Sequence, residues 1–212
     1  MPFLASILQG PRRRRVPRRG ERGQTLVEFA LAFPVFWVVL LGIIEFAFAF
    51  NAVLSVNYAS RNAALVAAEV GNGLGADCVI LLQIEQDVTA PASANRIQRV
   101  NIYRTDRNGT MQGTATVYLR NGGSPTNCTN PNGTPYTLPY TKTADGYPEA
   151  GRCNVLAGCP AYGSIPARSQ VDTVGVKVEY DHAWVTPLHN FIGGGSNFSV
   201  DRANAMRMEP VL

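Results

Sequence analysis

Residues Gly23 to Phe50, GQTLVEFALAFPVFWVVLLGIIEFAFAF, decide the fold. From Phe29 to Phe50 run 22 residues whose only ionisable side chain is Glu45. At ~1.5 Å per residue a helix of that length reaches about 33 Å, enough for a ~30 Å hydrocarbon core. The stretch therefore predicts one transmembrane helix. A secretory signal has a shorter apolar region, ~7–15 residues, ahead of a small-residue cleavage site. Ala47 and Ala49 mimic such a site, but the run before them is too long to favour it. Glu28 stands at the mouth of the run, five residues after Gly23. A carboxylate at the entrance to lipid is costly and needs a partner or a purpose. Glu45 lies near the outer end, where solvation among headgroups is the preferred reading over a contact with a neighbouring subunit. Pro34 removes one backbone donor and should kink or loosen the helix around Ala30 to Phe33. It reads equally well as a tolerated transmembrane proline or as a flexible point for repacking.

Charge is segregated around this span. The 212-residue chain carries a formal net charge of +4. Residues 1–23 hold Arg12, Arg13, Arg14, Arg15, Arg18, Arg19 and Arg22 against Glu21, a net of +6. The other 189 residues hold 12 basic and 14 acidic side chains, a net of −2. An arginine run is often a solvated tail or a nucleic-acid arm. Here it abuts an apolar span, where the positive-inside rule holds it in the cytoplasm and places residues beyond about 51 outside. No nucleic-acid partner is expected.

Beyond the span the helix continues. Residues 51–70 lack Pro and Gly and are rich in alanine. At 100° per residue, Ala52, Val53, Val56, Ala59, Ala63, Val66, Ala67 and Val70 share one side, a small-residue face suited to close packing. Asn51, Ser55, Asn62 and Glu69 share another. Gly71, Gly73 and Gly75 end the helix. The expected organisation is a basic cytoplasmic leader (1–23), a transmembrane helix (24–50), its extracytoplasmic extension (51–72) and an extracytoplasmic α+β domain (73–212).

Within that domain, residues 76–90 predict a second helix. Val100–Thr105 and Thr114–Leu119 predict a hairpin closed by Asp106-Arg107-Asn108-Gly109. Residues 121–170 read as a long irregular loop, dense in Gly, Pro, Asn and Thr. Strands return at Thr173–Tyr180 and from about Asn197 to Met208, around an excursion from Thr186 to Gly195. The expected fold class is α+β: a long helix, transmembrane then amphipathic, packed on a small sheet of four antiparallel strands, with a disulfide-bearing loop.

Cys78, Cys128, Cys153 and Cys159 are even in number and all fall on the outer side, which fits an oxidising compartment and two disulfides. Four cysteines allow three pairings. The reading favours Cys153 with Cys159, a short closure, and Cys78 with Cys128, pinning the second helix to the loop. Zinc is disfavoured, because no CxxC is present and His182 and His189 stand at no recognised spacing to the cysteines. Asp181 and His182 are adjacent in a strand, so their side chains point to opposite faces and form no dyad. Gly193, Gly194 and Gly195 read as a turn, not a nucleotide cradle. No catalytic residue, metal or cofactor is expected.

The leader glycine with an acid at the fifth position after it resembles the type IV prepilin processing site. The Gly23–Phe50 stretch, the alanine-rich helix after it and the C-terminal ANAMRMEP are similar to TadE-like minor pseudopilins of the tight-adherence (Flp) pilus system. The resemblance covers about Gly23 to Val70, more weakly TPLHNFIGGG and the last strand, and not residues 120–170. It implies a pilin-like fold and cleavage by a prepilin peptidase after Gly23. Gln24 would become the new N-terminus, methylated or not, its amine one helical turn from Glu28. Glu28 would be the acid of processing or assembly, and Phe29 the aromatic that follows it. The family is not known for enzymatic activity. The implied partners are inner-membrane lipid, other pilins or pseudopilins, pilus-assembly membrane proteins and the peptidase. The implied location is the bacterial inner membrane, single-pass, or a surface pilus. The large cysteine-bearing loop departs from a minimal member and leaves a tip, adhesin or scaffold role open. The alternative is an unprocessed, single-pass anchored extracellular domain for binding or adhesion.

Overall fold

The computed structural model describes residues 21–129, 133–156, 158–159, 161–163, 166–192 and 195–209. The leader arginines up to Arg19, and Gly193 and Gly194, lie outside the described residues. The described chain divides after Leu40 into two units, 21–40 and 41–209. Helix α1, Glu21–Val70, belongs to both and runs unbroken through Pro34. In the first unit every residue from Gly23 to Val39 is exposed. Leu26, Phe29, Leu31, Val35 and Phe36 are each more than half exposed.

In the second unit α1 carries the small-residue face foreseen from its periodicity. Ala52, Val56, Ala59, Ala63 and Ala67 are buried, while Asn51 and Glu69 are exposed. Helix α2, Ala76–Asp87, follows a glycine turn in which Gly75 holds a φ of 83°, a conformation natural to glycine. Its Ile80, Leu81 and Ile84 enter the same core. Asn62 on α1 donates to Asp87 at 3.1 Å, tying the two helices.

The sheet begins with β1, Ile97–Thr105, and β2, Met111–Arg120, an antiparallel pair. Their turn is set by Asp106, whose Oδ1 accepts from the N–H of Asn108 at 2.8 Å and of Thr110 at 2.9 Å. After a separate two-stranded hairpin, β3 (Thr126–Thr129) and β4 (Pro135–Leu138), the chain forms β5, Tyr140–Asp145. The long strands β6, Thr173–Ala183, and β7, Asn197–Arg207, complete a five-stranded antiparallel sheet in the order β5-β2-β1-β6-β7. Val174, Val176, Val178, Tyr180 and His182 alternate onto the buried face of β6.

Two sequence expectations are corrected here. The sheet has five strands, not four, and residues 121–170 are not one irregular loop. Thr141 and Lys142 pair with Leu119 and Tyr118 of β2 through backbone bonds that composition does not reveal. Tyr140 then buries its ring completely and donates its hydroxyl to Glu85 of α2 at 2.6 Å. The excursion after β6 also holds a short helix, α3, Leu188–Ile192.

Candidate functional site: an apolar anchor and a carboxylate clamp

The helix segment carrying the expected processing and assembly residues belongs to the first unit. Gly23, Gln24, Glu28 and Phe29 all lie on α1 and are all exposed. Gln24 Nε2 donates to Glu28 Oε1 at 3.0 Å, one turn away. Phe29, Phe33 and Trp37 form a stepped row on the helix surface, with ring centroids 5.5 and 6.0 Å apart. Among the described residues one helix, Gly23–Val70, is long and apolar enough to cross a membrane, with an 18-residue stretch of mean hydropathy 2.4 and no buried residue. Such a surface in water would be an exceptional apolar patch, so it needs lipid or other helices around it.

The second unit holds a site whose internal partners the sequence reading did not foresee. Glu45 is neither solvated among headgroups nor free for a neighbouring subunit. It is 3% exposed and held inside its own chain. The turn after β6 wraps it: the N–H of Val185 donates to both carboxylate oxygens, at 3.1 and 3.0 Å, and the N–H of Thr186 donates to Oε2 at 2.8 Å. His182 Nε2 lies 3.3 Å from Oε1. Two orphan backbone donors and a carboxylate thus satisfy one another, which is what makes a buried acid tolerable. Around them His182, Trp184 and Phe198 form an aromatic cluster, with His182 and Phe198 centred 4.8 Å apart and Trp184 edge-on to Phe198 at 6.0 Å. Gly42 sits beneath this turn, where a Cβ would come 4.0 Å from Leu188 Cδ2. His182, read from sequence as a packing or surface histidine, is a packing histidine with one polar partner. The only sequence signal for the clamp was an acid in an apolar run.

A second buried polar network fixes the cysteine-bearing segment. Arg152 is fully buried, ion-paired with Asp77 at the start of α2 and stacked 5.1 Å from the Tyr147 ring centre. Tyr118 donates to the same Asp77 at 2.8 Å. Glu149 receives the N–H groups of Gly75 and Asp77 at 3.0 and 2.7 Å, closing the N-terminus of α2. Asp172 accepts from Tyr147, Arg168 and the N–H of Cys153. Cys78 joins Cys128, and Cys153 joins Cys159. These links convert a stretch that looks like a loop into a packed wall on α2.

At the end of the sheet marked by Thr105 and Thr173, far along β6 from His182, lies an open pocket of about 910 Å³ lined by Arg104, Arg107, Arg168 and Arg207. Its two acids are engaged internally: Asp106 holds its turn and Asp172 holds the network above. Among the described residues no cluster of His, Cys, Asp or Glu could hold a metal.

An α+β domain with two disulfides, following a membrane-competent helix, is the class that fold and site define. Residues 23–65 match the family model of the TadE-like proteins, so this segment is similar to that family, as the resemblance implied. That family is structural and pilus-related, and is not known for catalysis. No curated protein and no solved structure matches the chain.

Proposed function

We propose that the protein is a minor pseudopilin with a structural role in assembling a bacterial tight-adherence pilus or a related secretion machine. The helix directs insertion with the N-terminus in the cytoplasm and the domain outside the inner membrane. A prepilin peptidase cuts after Gly23, and the new amine of Gln24 and the carboxylate of Glu28 neutralise each other within a subunit or between neighbours. The helix then packs with other pilin helices, and the outer domain selects partners among pilins and assembly proteins. The observation that carries this reading is the bare apolar surface from Leu26 to Val39, entered by an acid one turn from Gln24. Catalysis has no part in it.

The test pairs two measurements on protein from its native membrane. The N-terminal mass should correspond to a chain starting at Gln24. Glu28→Ala should insert normally yet fail to support piliation. Normal pili in that mutant would defeat the assembly role. Arg168 of the open pocket is held by Asp172 and Arg207 pairs with Glu209, but Arg104 and Arg107 at its rim favour a second reading, an unprocessed anchored domain that binds anionic groups outside the cell. A mass starting at Met1 or Pro2 would decide for it.

A further inference from the structure

Beyond the anchor helix, the turn after β6 has no assigned role. It is fastened to α1 at the level of Glu45, five residues before the apolar run ends at Phe50. At that level the other sides of α1 are bare and apolar: Ile43 is 62% exposed, Phe46 71% and Phe50 52%. These side chains demand an apolar medium. The face bearing Glu45 is covered by the turn instead. On the spanning reading, the turn therefore lies alongside a helix section at lipid depth, within about 8 Å of the end of the run at ~1.5 Å per residue.

The chemistry of the turn suits that depth. Residues 184–192 contain no Asp, Glu, Lys or Arg. Irregular backbone is tolerated near lipid only where its polar groups are satisfied. Here Val185 and Thr186 donate to Glu45, Trp184 donates to the carbonyl of Ser196 at 3.4 Å, and Asn190 to that of Pro187 at 3.1 Å. Trp184 is half-buried in the aromatic cluster, and Val185 is 57% exposed. An amphipathic aromatic beside an exposed aliphatic is the composition of a membrane-interface belt.

We propose that residues 184–190 form a second membrane contact, seated in the outer headgroup layer and latched to the anchor helix through Glu45. The partner is the lipid surface itself. Because the turn is uncharged, zwitterionic lipid suffices. This rests on the helix spanning the bilayer.

The experiment uses full-length protein in phosphatidylcholine vesicles, with an environment-sensitive fluorophore on one introduced cysteine. Among the described residues the native four cysteines are paired and do not compete for label. Val185→Cys leaves the backbone donors of the clamp in place. Its label should emit to the blue of an Arg107→Cys label and be quenched by lipids carrying a headgroup-level quencher. A Phe36→Cys label tests the span independently. Water-like emission at 185 with lipid-like emission at 36 would overturn the second contact alone. Water-like emission at both would overturn the spanning reading and the contact with it. A blue-shifted 185 label insensitive to lipid quenchers would mean that a protein surface, not lipid, covers the turn, and would also overturn it.

Discussion

Glu45 shows how one side chain can link a helix and a sheet that are remote in sequence. Its carboxylate takes three backbone donor contacts from Val185 and Thr186 and one from His182, more than 130 residues away. Removing it strands the buried N–H of Thr186 and the part-buried N–H of Val185, at a cost of about 1–3 kcal/mol. Glu45→Ala should therefore leave α1 helical but raise amide exchange at residues 185–190 roughly 5–150-fold. Hydrogen-exchange mass spectrometry in micelles checks this, and unchanged protection there would mean the clamp contributes nothing. Glu45→Gln, which keeps an acceptor, should lie between. The acid was legible in the sequence as an anomaly in an apolar run. Its partners were not, because a strand end and a turn reveal nothing of which helix turn they will meet.

The elements were legible in proportion to their periodicity. Helix α1 beyond residue 51 has a 3.6-residue repeat of small side chains, β6 alternates valines, and the β1–β2 turn carries Asp-Arg-Asn-Gly, so each appears where its pattern lies. Strand β5, YTKTAD, has no apolar alternation. It exists because the edge of β2 offers unpaired backbone groups and because Tyr140 fills a hole beside Glu85 and Arg120. The hairpin β3–β4 is held to α2 by the Cys78–Cys128 bridge, which closes a loop with a sequence separation of 50. Constraining that loop in the unfolded chain is worth about 2–4 kcal/mol. Cys78→Ser combined with Cys128→Ser should lower unfolding stability by that amount in urea titrations without reductant. A shift well under 1 kcal/mol would show that the hairpin docks independently of the bridge.

At the scale of the whole domain, three tyrosine hydroxyls are packed in the core against the carboxylates of Asp77, Glu85 and Asp172. Burial foremost, reinforced by Asp77, raises the Tyr118 hydroxyl above the ordinary tyrosine range. Burial with Glu85 does the same for Tyr140, and burial with Asp172 for Tyr147. In each case the folded state holds its proton more tightly than the unfolded chain, whose tyrosines ionise near ~10. The resulting stability is fully present below about pH 10 and declines as pH rises beyond it, since only the unfolded chain releases these protons. Alkaline titration at 295 nm should show these three phenols ionising only together with loss of the near-UV circular dichroism signal. Complete phenolate formation with that signal intact would contradict the buried network.

The sequence by itself determined a helix long and apolar enough to cross a membrane and the α+β class, because hydrophobic length and periodicity are local properties. The TadE-like match over residues 23–65 rests on that same local information. Tertiary structure alone decided that Glu45 is an internal clamp, that residues 140–145 join the sheet, and that Arg152 and Asp77 meet in the core. Each of those depends on which distant groups need a partner once water is excluded, and that demand arises only when the chain has folded.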